Sequence, residues 1–254
     1  MPARLGQHFL IDPAARDAIV SSSGAAPGVE VLEIGPGKGF LTEALLEAGA
    51  KLTAVEMDDR LAEKWRTDER LRFFHADFLK LKLDALGEGP FKIAANLPYS
   101  VAAPILQKIL PWPRWTAAVL MFQKEVADRV AAAPGGPDYG LLSLSTAIHA
   151  EAHVLFDVPR ESFAPRPKVV SSVVALKRRE APLVAPEKQE TFFRVARAAF
   201  SQRRKMAANP LAQILGLPRS TVAAALERCG VGASARAENI PLEAYMRLPE
   251  ELGL

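Results

Sequence analysis

An α/β fold is what this sequence predicts: a Rossmann-like, seven-stranded, mainly parallel sheet within residues 1–180, followed by a small all-helical domain over 181–254. Three observations predict it. Through the first half, short β-branched runs alternate with longer amphipathic stretches, the pattern of strands and crossover helices. A glycine-rich turn directly follows the first of those runs. Beyond Leu176 the apolar spacing turns helical and stays so.

In chain order, the strands are read at Val29 to Ile34, Lys51 to Val55, Leu71 to His75, Phe91 to Ala95, Thr116 to Phe122, His153 to Phe156 and Val169 to Leu176. Between them, helices fit Leu41 to Ala48, Arg60 to Thr67, Val101 to Leu110, Lys124 to Ala133 and Leu141 to Ala150. Pro134, Gly135, Gly136 and Pro137 mark 131–139 as an exposed loop. The basic run Lys177, Arg178, Arg179 leads into a proline-bearing linker at 181–186. After it, Phe192, Val195, Ala196 and Ala199, then Leu211, Ile214 and Leu215, then Val222, Ala225 and Leu226 recur at helical spacing. There is no internal repeat and no low-complexity tract.

The 254 residues are 49% hydrophobic and 24% charged, enough apolar surface for a core and too little net charge for disorder. The one cysteine, Cys229, rules out an internal disulfide and a cysteine-based zinc site. No apolar run is long enough to span a bilayer, and Arg4, Gln7 and His8 stand where a signal peptide would be apolar, so a cytoplasmic protein is expected. Cutting after Pro159 leaves a first part of net −4 (16 Lys+Arg, 20 Asp+Glu) and a second of net +7 (16 against 9). That asymmetry points to a polyanion partner recruited mainly by the second part, with an unevenly charged solvated surface as the plain alternative.

The turn Glu33-Ile34-Gly35-Pro36-Gly37-Lys38-Gly39 places glycines where a backbone must bend sharply and meet a ligand. A dinucleotide fingerprint would want glycine at position 40, which is Phe40. G-x-G-x-G suits S-adenosylmethionine, which has no pyrophosphate to cradle, although glycine turns also serve packing. Glu56 ends the second strand, where a carboxylate can accept both hydroxyls of a ribose, and Asp77 follows the third, where an acceptor can meet an adenine amine. Helix capping is the alternative for each acid.

Asn96-Leu97-Pro98-Tyr99 ends the fourth strand. An adenine amine is a poor nucleophile because its lone pair is delocalised. The Asn96 side-chain oxygen and the Leu97 carbonyl can accept its two hydrogens, Pro98 fixes the turn and Tyr99 stacks on the base. Placement and an activated leaving group suffice for methyl transfer, so no strong base is needed. An ordinary Asx turn is the alternative. His149 and His153 stand at helical spacing without a third ligand, so no metal is expected, and Trp112 and Trp115 fit loop packing.

Gly6-Gln7-His8-Phe9-Leu10, Leu32 to Gly37, Asn96 to Tyr99, Gln123-Lys124-Glu125-Val126-Ala127, Phe163 to Val169 and Phe200 to Lys205 together resemble the bacterial KsgA-type (RsmA-type) rRNA adenine dimethyltransferases. The resemblance covers nearly the whole chain. It implies a class I methyltransferase fold and transfer of four methyl groups from S-adenosylmethionine to two adjacent adenosines in the 3′-terminal hairpin loop of 16S rRNA, within the immature small subunit. A monomer with no membrane partner is expected.

By that resemblance, His8 and Leu10 close over the cofactor, Gly35 lies at its methionine and ribose end and Glu56 at the ribose, with Gly37, Met57 and Phe78 as further cofactor-binding candidates. Asp77 meets the adenine, and Asn96 meets the methyl group and target amine. His8 and Ser100 stand where the family commonly has Asn. Phe163 is a second aromatic candidate for a flipped adenine, with core burial as its alternative. Phe163→Ala and Tyr99→Ala are expected to lower transfer and spare cofactor affinity. Arg166 with Lys168, Lys177 to Arg179, and Arg203, Arg204 and Lys205 are candidate phosphate contacts, against a merely solvated helix face.

Three other readings stay open. The Erm type resembles this motif set but modifies large-subunit rRNA. A non-catalytic relative, like mitochondrial transcription factors, would bind RNA only. DNA adenine methyltransferases usually carry N-P-P-Y or D-P-P-Y, which Leu97 departs from.

Overall fold

The computed structural model describes residues 7–254; Gly6 of the N-terminal motif and Arg4 lie outside the described residues. Nine strands are present among them: β1 (Phe9–Leu10), β2 (Glu30–Ile34), β3 (Lys51–Glu56), β4 (Leu71–His75), β5 (Phe91–Asn96), β6 (Trp115–Gln123), β7 (Ala150–Val158), β8 (Phe163–Ala164) and β9 (Ser171–Arg178). Seven of these form one sheet in the order β4-β3-β2-β5-β6-β9-β7, with β9 antiparallel to both neighbours and β2 to β6 all parallel. The central strands are buried on both faces, hence their near-continuous apolar runs. Val31, Leu32, Ile93, Ala94 and Leu120, for example, are 0% exposed.

The helices of this part are α1 (Pro13–Ser23), α2 (Phe40–Glu47), α3 (Asp59–Trp65), α4 (Ala102–Ile109) and α5 (Lys124–Ala131). The sequence reading left α1 unassigned. Its only buried residues are Ala15, Ile19 and Ser23, too narrow a stripe to announce a helix. Its punctuation was present: Asp12 accepts from Ala14 N and Ala15 N, Pro13 opens the first turn, and Gly24 closes it at φ 64°. Also unforeseen is the two-stranded sheet, in which Leu10 pairs with Phe163 and Phe9 with Ala164. The Ser162 hydroxyl donates to the same Asp12 at 2.7 Å and pins that pairing.

The chain divides into two compact units, 1–128 with 150–179, and 129–149 with 180–254. The second unit is α6 (Leu141–His149), α7 (Pro186–Phe200), α8 (Ala208–Leu215), α9 (Arg219–Arg228) and α10 (Leu242–Glu251). A boundary near 180 was expected, but 129–149 was expected to stay with the sheet. Instead, Leu144 and Ile148 of α6 are 0% exposed in the same apolar cluster as Phe192, Val195, Leu211, Leu226 and Tyr245. A crossover helix and a bundle helix have the same periodicity, so sequence spacing could not separate them.

Recounting charge by these units changes the electrostatic picture. The sheet unit carries 21 Lys+Arg against 20 Asp+Glu, and the helical unit 11 against 9. Most of the basic excess of 160–254 sits in 160–179, six basic residues against one acid, which fold into the sheet unit.

Candidate active site

Successive crossovers leave β2 in opposite directions, so the sheet's chain order switches between β2 and β5. In open α/β sheets, ligands bind in the crevice at the carboxyl ends of such a pair. The glycine turn leaves β2 there. Gly35, Gly37 and Gly39 have φ of 74°, 55° and 94°, conformations that side chains strain. At Gly39 a Cβ would also stand 2.5 Å from the Trp65 ring, whose Nε1 donates to Gly37 O at 3.2 Å.

Glu56 ends β3 and is 4% exposed. Its Oε1 accepts from Met57 N (2.8 Å) and Asp58 N (2.9 Å), and its Oε2 from Gly37 N (3.1 Å), so one carboxylate ties two strand-end loops together. Beyond β4, Asp77 accepts from Leu79 N at 2.9 Å, and Phe78 is buried. Lys108 of α4 donates to Leu79 O and Leu81 O and closes that loop.

At the end of β5, Asn96 Nδ2 donates to His8 O at 3.2 Å. A carbonyl can only accept, so this contact orients the amide and leaves Oδ1 as an acceptor without a partner among the described residues. Leu97 is buried, and Pro98 O accepts from Val101 N at 3.0 Å, completing the turn. Tyr99 Oη shares a 2.6 Å hydrogen bond with Ser171 Oγ, and burial pushes the phenol up despite that bond. The Tyr99 ring lies 5.4 Å from that of His8, whose Nδ1 donates to Pro165 O at 2.7 Å.

These groups line two adjoining cavities. One is walled by His8, Leu10, Glu33, Gly37, Asn96, Leu97 and Tyr99, the other by Asp77, Phe78, Leu79 and Ile105; Gly35, Glu56, Met57, Pro98 and Val101 border both. A chamber bearing several polar side chains joined to a more apolar slot, with a fixed carboxylate between them, fits an elongated ligand carrying a charged amino acid end, a ribose and a flat base. S-adenosylmethionine has that constitution. Every candidate cofactor residue, His8, Leu10, Gly35, Gly37, Glu56, Met57, Asp77, Phe78 and Asn96, therefore lines one cavity or the other.

Phe163 is the exception among the catalytic candidates. It is 3% exposed and belongs to the apolar cluster of Leu10, Ile19, Val119 and Val173 rather than to a cavity wall. The expected base-stacking ring therefore lines neither cavity in this structure and packs in the core of the sheet unit.

The basic candidates separate as well. Arg166 and Lys168 are exposed in the loop before β9, where Arg166 is ion-paired with Glu161. Ser171 pairs with Gln123 at the site end of the sheet, whereas Lys177 pairs with Ala117, about 20 Å along the strand. Lys177, Arg178 and Arg179 therefore lie at the opposite end, where Arg179 also meets Glu151 at 3.1 Å. In the helical unit, Arg203 donates to Pro137 O (2.6 Å) and Tyr139 O (3.0 Å), which makes it a loop clasp, while Arg204 and Lys205 are exposed. His149 is buried in α6 and His153 exposed in β7, so they share no helix face. Among the described residues, no cluster of three or more His, Cys, Asp or Glu could hold a metal ion, and no helix is long and apolar enough to cross a membrane.

Sequence reasoning missed Glu33 as a wall residue and Ser171 as the partner of Tyr99. An acid inside the otherwise apolar run Val31-Leu32-Glu33-Ile34 was the available signal for the first; nothing local signals the second.

Residues 2–253 match the family model described as ribosomal RNA adenine dimethylase. The ribosomal RNA small subunit methyltransferase A of Rhodospirillum rubrum is 45% identical over 256 residues, 96% of this chain and 85% of that protein. Its counterpart in Desulfitobacterium hafniense is 41% identical over 251 residues, 97% and 90%. The crystal structure of the 23S rRNA methyltransferase ErmE matches with a TM-score of 0.73 at 29% identity, over 97% of this chain and 100% of that one. A dimethyladenosine transferase from Plasmodium falciparum shares the fold, with a TM-score of 0.78 at 24% identity over 95% and 96%. With its glycine turn, paired cavities and full-length match, this chain belongs to the ribosomal RNA adenine dimethylase family, enzymes that use S-adenosylmethionine to dimethylate adenine in ribosomal RNA.

Proposed function

We propose that this chain methylates two adjacent adenosines in the 3′-terminal hairpin loop of 16S rRNA, acting as a cytoplasmic monomer on the immature small subunit. The observation that carries the chemistry is the orientation of Asn96, which presents an acceptor oxygen at the switch point beside the glycine turn. The small-subunit relatives at 41–45% identity support the choice of RNA.

The bound cofactor supplies a methyl group on a sulfonium, with a neutral thioether as leaving group. The rest falls to the chain's own residues. Asn96 Oδ1 and the Leu97 carbonyl accept the two hydrogens of the target amine, which restores lone-pair density to its nitrogen and points it at the methyl. Tyr99 offers a ring face to the base, steadied by Ser171, with the His8 ring beside it. Glu56 receives the ribose hydroxyls on a carboxylate already oriented by three amides, and Met57 flanks it. Asp77 and Phe78 hold the adenine, Gly35 and Gly37 admit the methionine end, and Leu10 closes the wall. Arg166, Lys168, Arg204 and Lys205 are the basic side chains offered to phosphates.

The test is to incubate the protein with labelled S-adenosylmethionine and either undermethylated small subunits or naked large-subunit RNA, then map the modified nucleotides. Label on the two hairpin adenosines supports the reading. Label on large-subunit RNA alone supports the alternative that the likeness to ErmE raises.

A further inference from the structure

Glu33 is a buried acid on the cavity wall that those roles leave idle. It stands on β2 two residues before Gly35, is 2% exposed, and shares its wall with Gly37, Glu56 and Asn96. Among the described residues nothing hydrogen-bonds its Oε2, and the Thr42 hydroxyl facing it from α2 makes no bond of full geometry. Glu56, equally buried on the neighbouring strand, receives three backbone amides. Glu56 is held by three amides, whereas Glu33 has one oxygen without a partner and only the Thr42 hydroxyl beside it.

A buried carboxyl without donors stays protonated until a cation reaches it. Burial pushes Glu33 up to about 8; Thr42 draws it down, Glu56 of β3 adds to the rise, and Lys64 of α3 opposes it. The other polar side chains on this wall are the neutral Asn96 amide of β5, the Tyr99 phenol, the Gln7 amide, the Lys38 ammonium and the His8 imidazole.

The methyl donor carries a sulfonium, an ammonium and a carboxylate, net +1 at neutral pH, whereas the thioether product has lost the sulfonium charge and is net neutral. We propose that Glu33 is the counter-charge for that difference: its carboxyl releases a proton to solvent as the donor enters and regains one when the neutral product remains, so the site favours donor over product. The balance is COOH to COO⁻ plus H⁺ taken by buffer. Full modification of two adenosines needs the product to be exchanged for fresh donor repeatedly, which gives this preference its use. The inference rests on the methyl-transfer reading above.

Calorimetric titration of the whole chain with S-adenosylmethionine and with S-adenosylhomocysteine, in two buffers of different ionisation heat at pH 7, counts the protons directly. Nearly one proton released per donor and distinctly fewer per product is the expected result. Donor affinity should rise by up to about tenfold per pH unit between pH 6 and 8, with a shallower slope for product. Glu33→Gln keeps the shape and should abolish the buffer dependence, weakening the donor by about tenfold and the product by less than about threefold. Equal heats in both buffers for the wild type would overturn the inference, and that measurement needs no variant. Proton release that persists in Glu33→Gln would place it on another group and overturn the inference too, as would equal loss of both ligands. A wild type that binds neither ligand would sink the methyl-transfer reading itself, and this inference with it.

Discussion

The two ends of the central sheet differ in which backbone groups they expose, and side-chain charge follows. At the carboxyl ends of the strands, helices begin and loops turn their amides inward. The partners there are acids: Glu56 takes three amides, Asp77 takes Leu79 N, and Asp58 caps α3 through Arg60 N. At the other end, helices finish and their carbonyls need donors. The partners there are bases: Lys92 donates to Gly24 O, Arg72 to Ala85 O and Leu86 O, and Arg114 to Gly87 O. Chain direction thus biases which side chains meet the backbone at each end, with Lys108 on Leu79 O and Leu81 O the exception at the site end. Acids at the site end are pre-oriented for a ligand, and many bases at the far end are already engaged.

The most disruptive test of this contrast is Phe163→Ala. A ring buried in the core of the sheet unit should cost about 3–5 kcal/mol of stability when truncated, seen as a lower Tm and denaturant midpoint. A variant of native stability with impaired transfer would instead return Phe163 to the base-stacking role. Asn96→Ala comes next, with transfer to undermethylated subunits falling on the order of 10²–10³-fold while the Tm changes little. Wild-type transfer would remove the acceptor from the mechanism.

A stability measurement sharpens the contrast between the two acids. Glu33 is raised from 4.5 to about 8, so across that interval the native state binds the extra proton and stability falls as pH rises. Glu33→Gln should flatten that decline between pH 5 and 8 and exceed the wild type at pH 8 by roughly 1–3 kcal/mol. A wild type whose stability climbs over this interval would show that the carboxyl is ionised in the fold.

Tyr99→Ala should reduce transfer by about ten- to hundredfold, the scale of one lost stacking contact, and leave cofactor affinity close to that of the wild type. The smallest effect compares the two ends of β9. Charge reversal of Arg166 and Lys168 should weaken RNA binding and flatten its salt dependence more than reversal of Lys177 and Arg178 does. Equal slopes would mean that RNA spans both ends of the strand.

Much of the site was legible because its signals are local. The turn at Gly35 to Gly39, Glu56 after β3, Asp77 after β4 and Asn96 to Tyr99 after β5 each sit within a few residues of the strand that positions them. Once the strands are read, parallel topology brings all four to one edge. Phe163 and Glu33 were misjudged or passed over for the opposite reason. Whether Phe163 faces a ligand or the core depends on its pairing with Leu10, 153 positions away in the chain. Whether Glu33 has a donor depends on the α2 and β3 residues around it.

The sequence by itself determined the strand and crossover-helix pattern, the glycine turn and the residue types at each strand end, since these follow from propensity and spacing along the chain. Only the tertiary structure decided that α6 joins the helical unit, that Lys177 to Arg179 lie away from the site and that Phe163 is buried. Those outcomes depend on contacts between distant segments, and burial and orientation arise only when such segments meet.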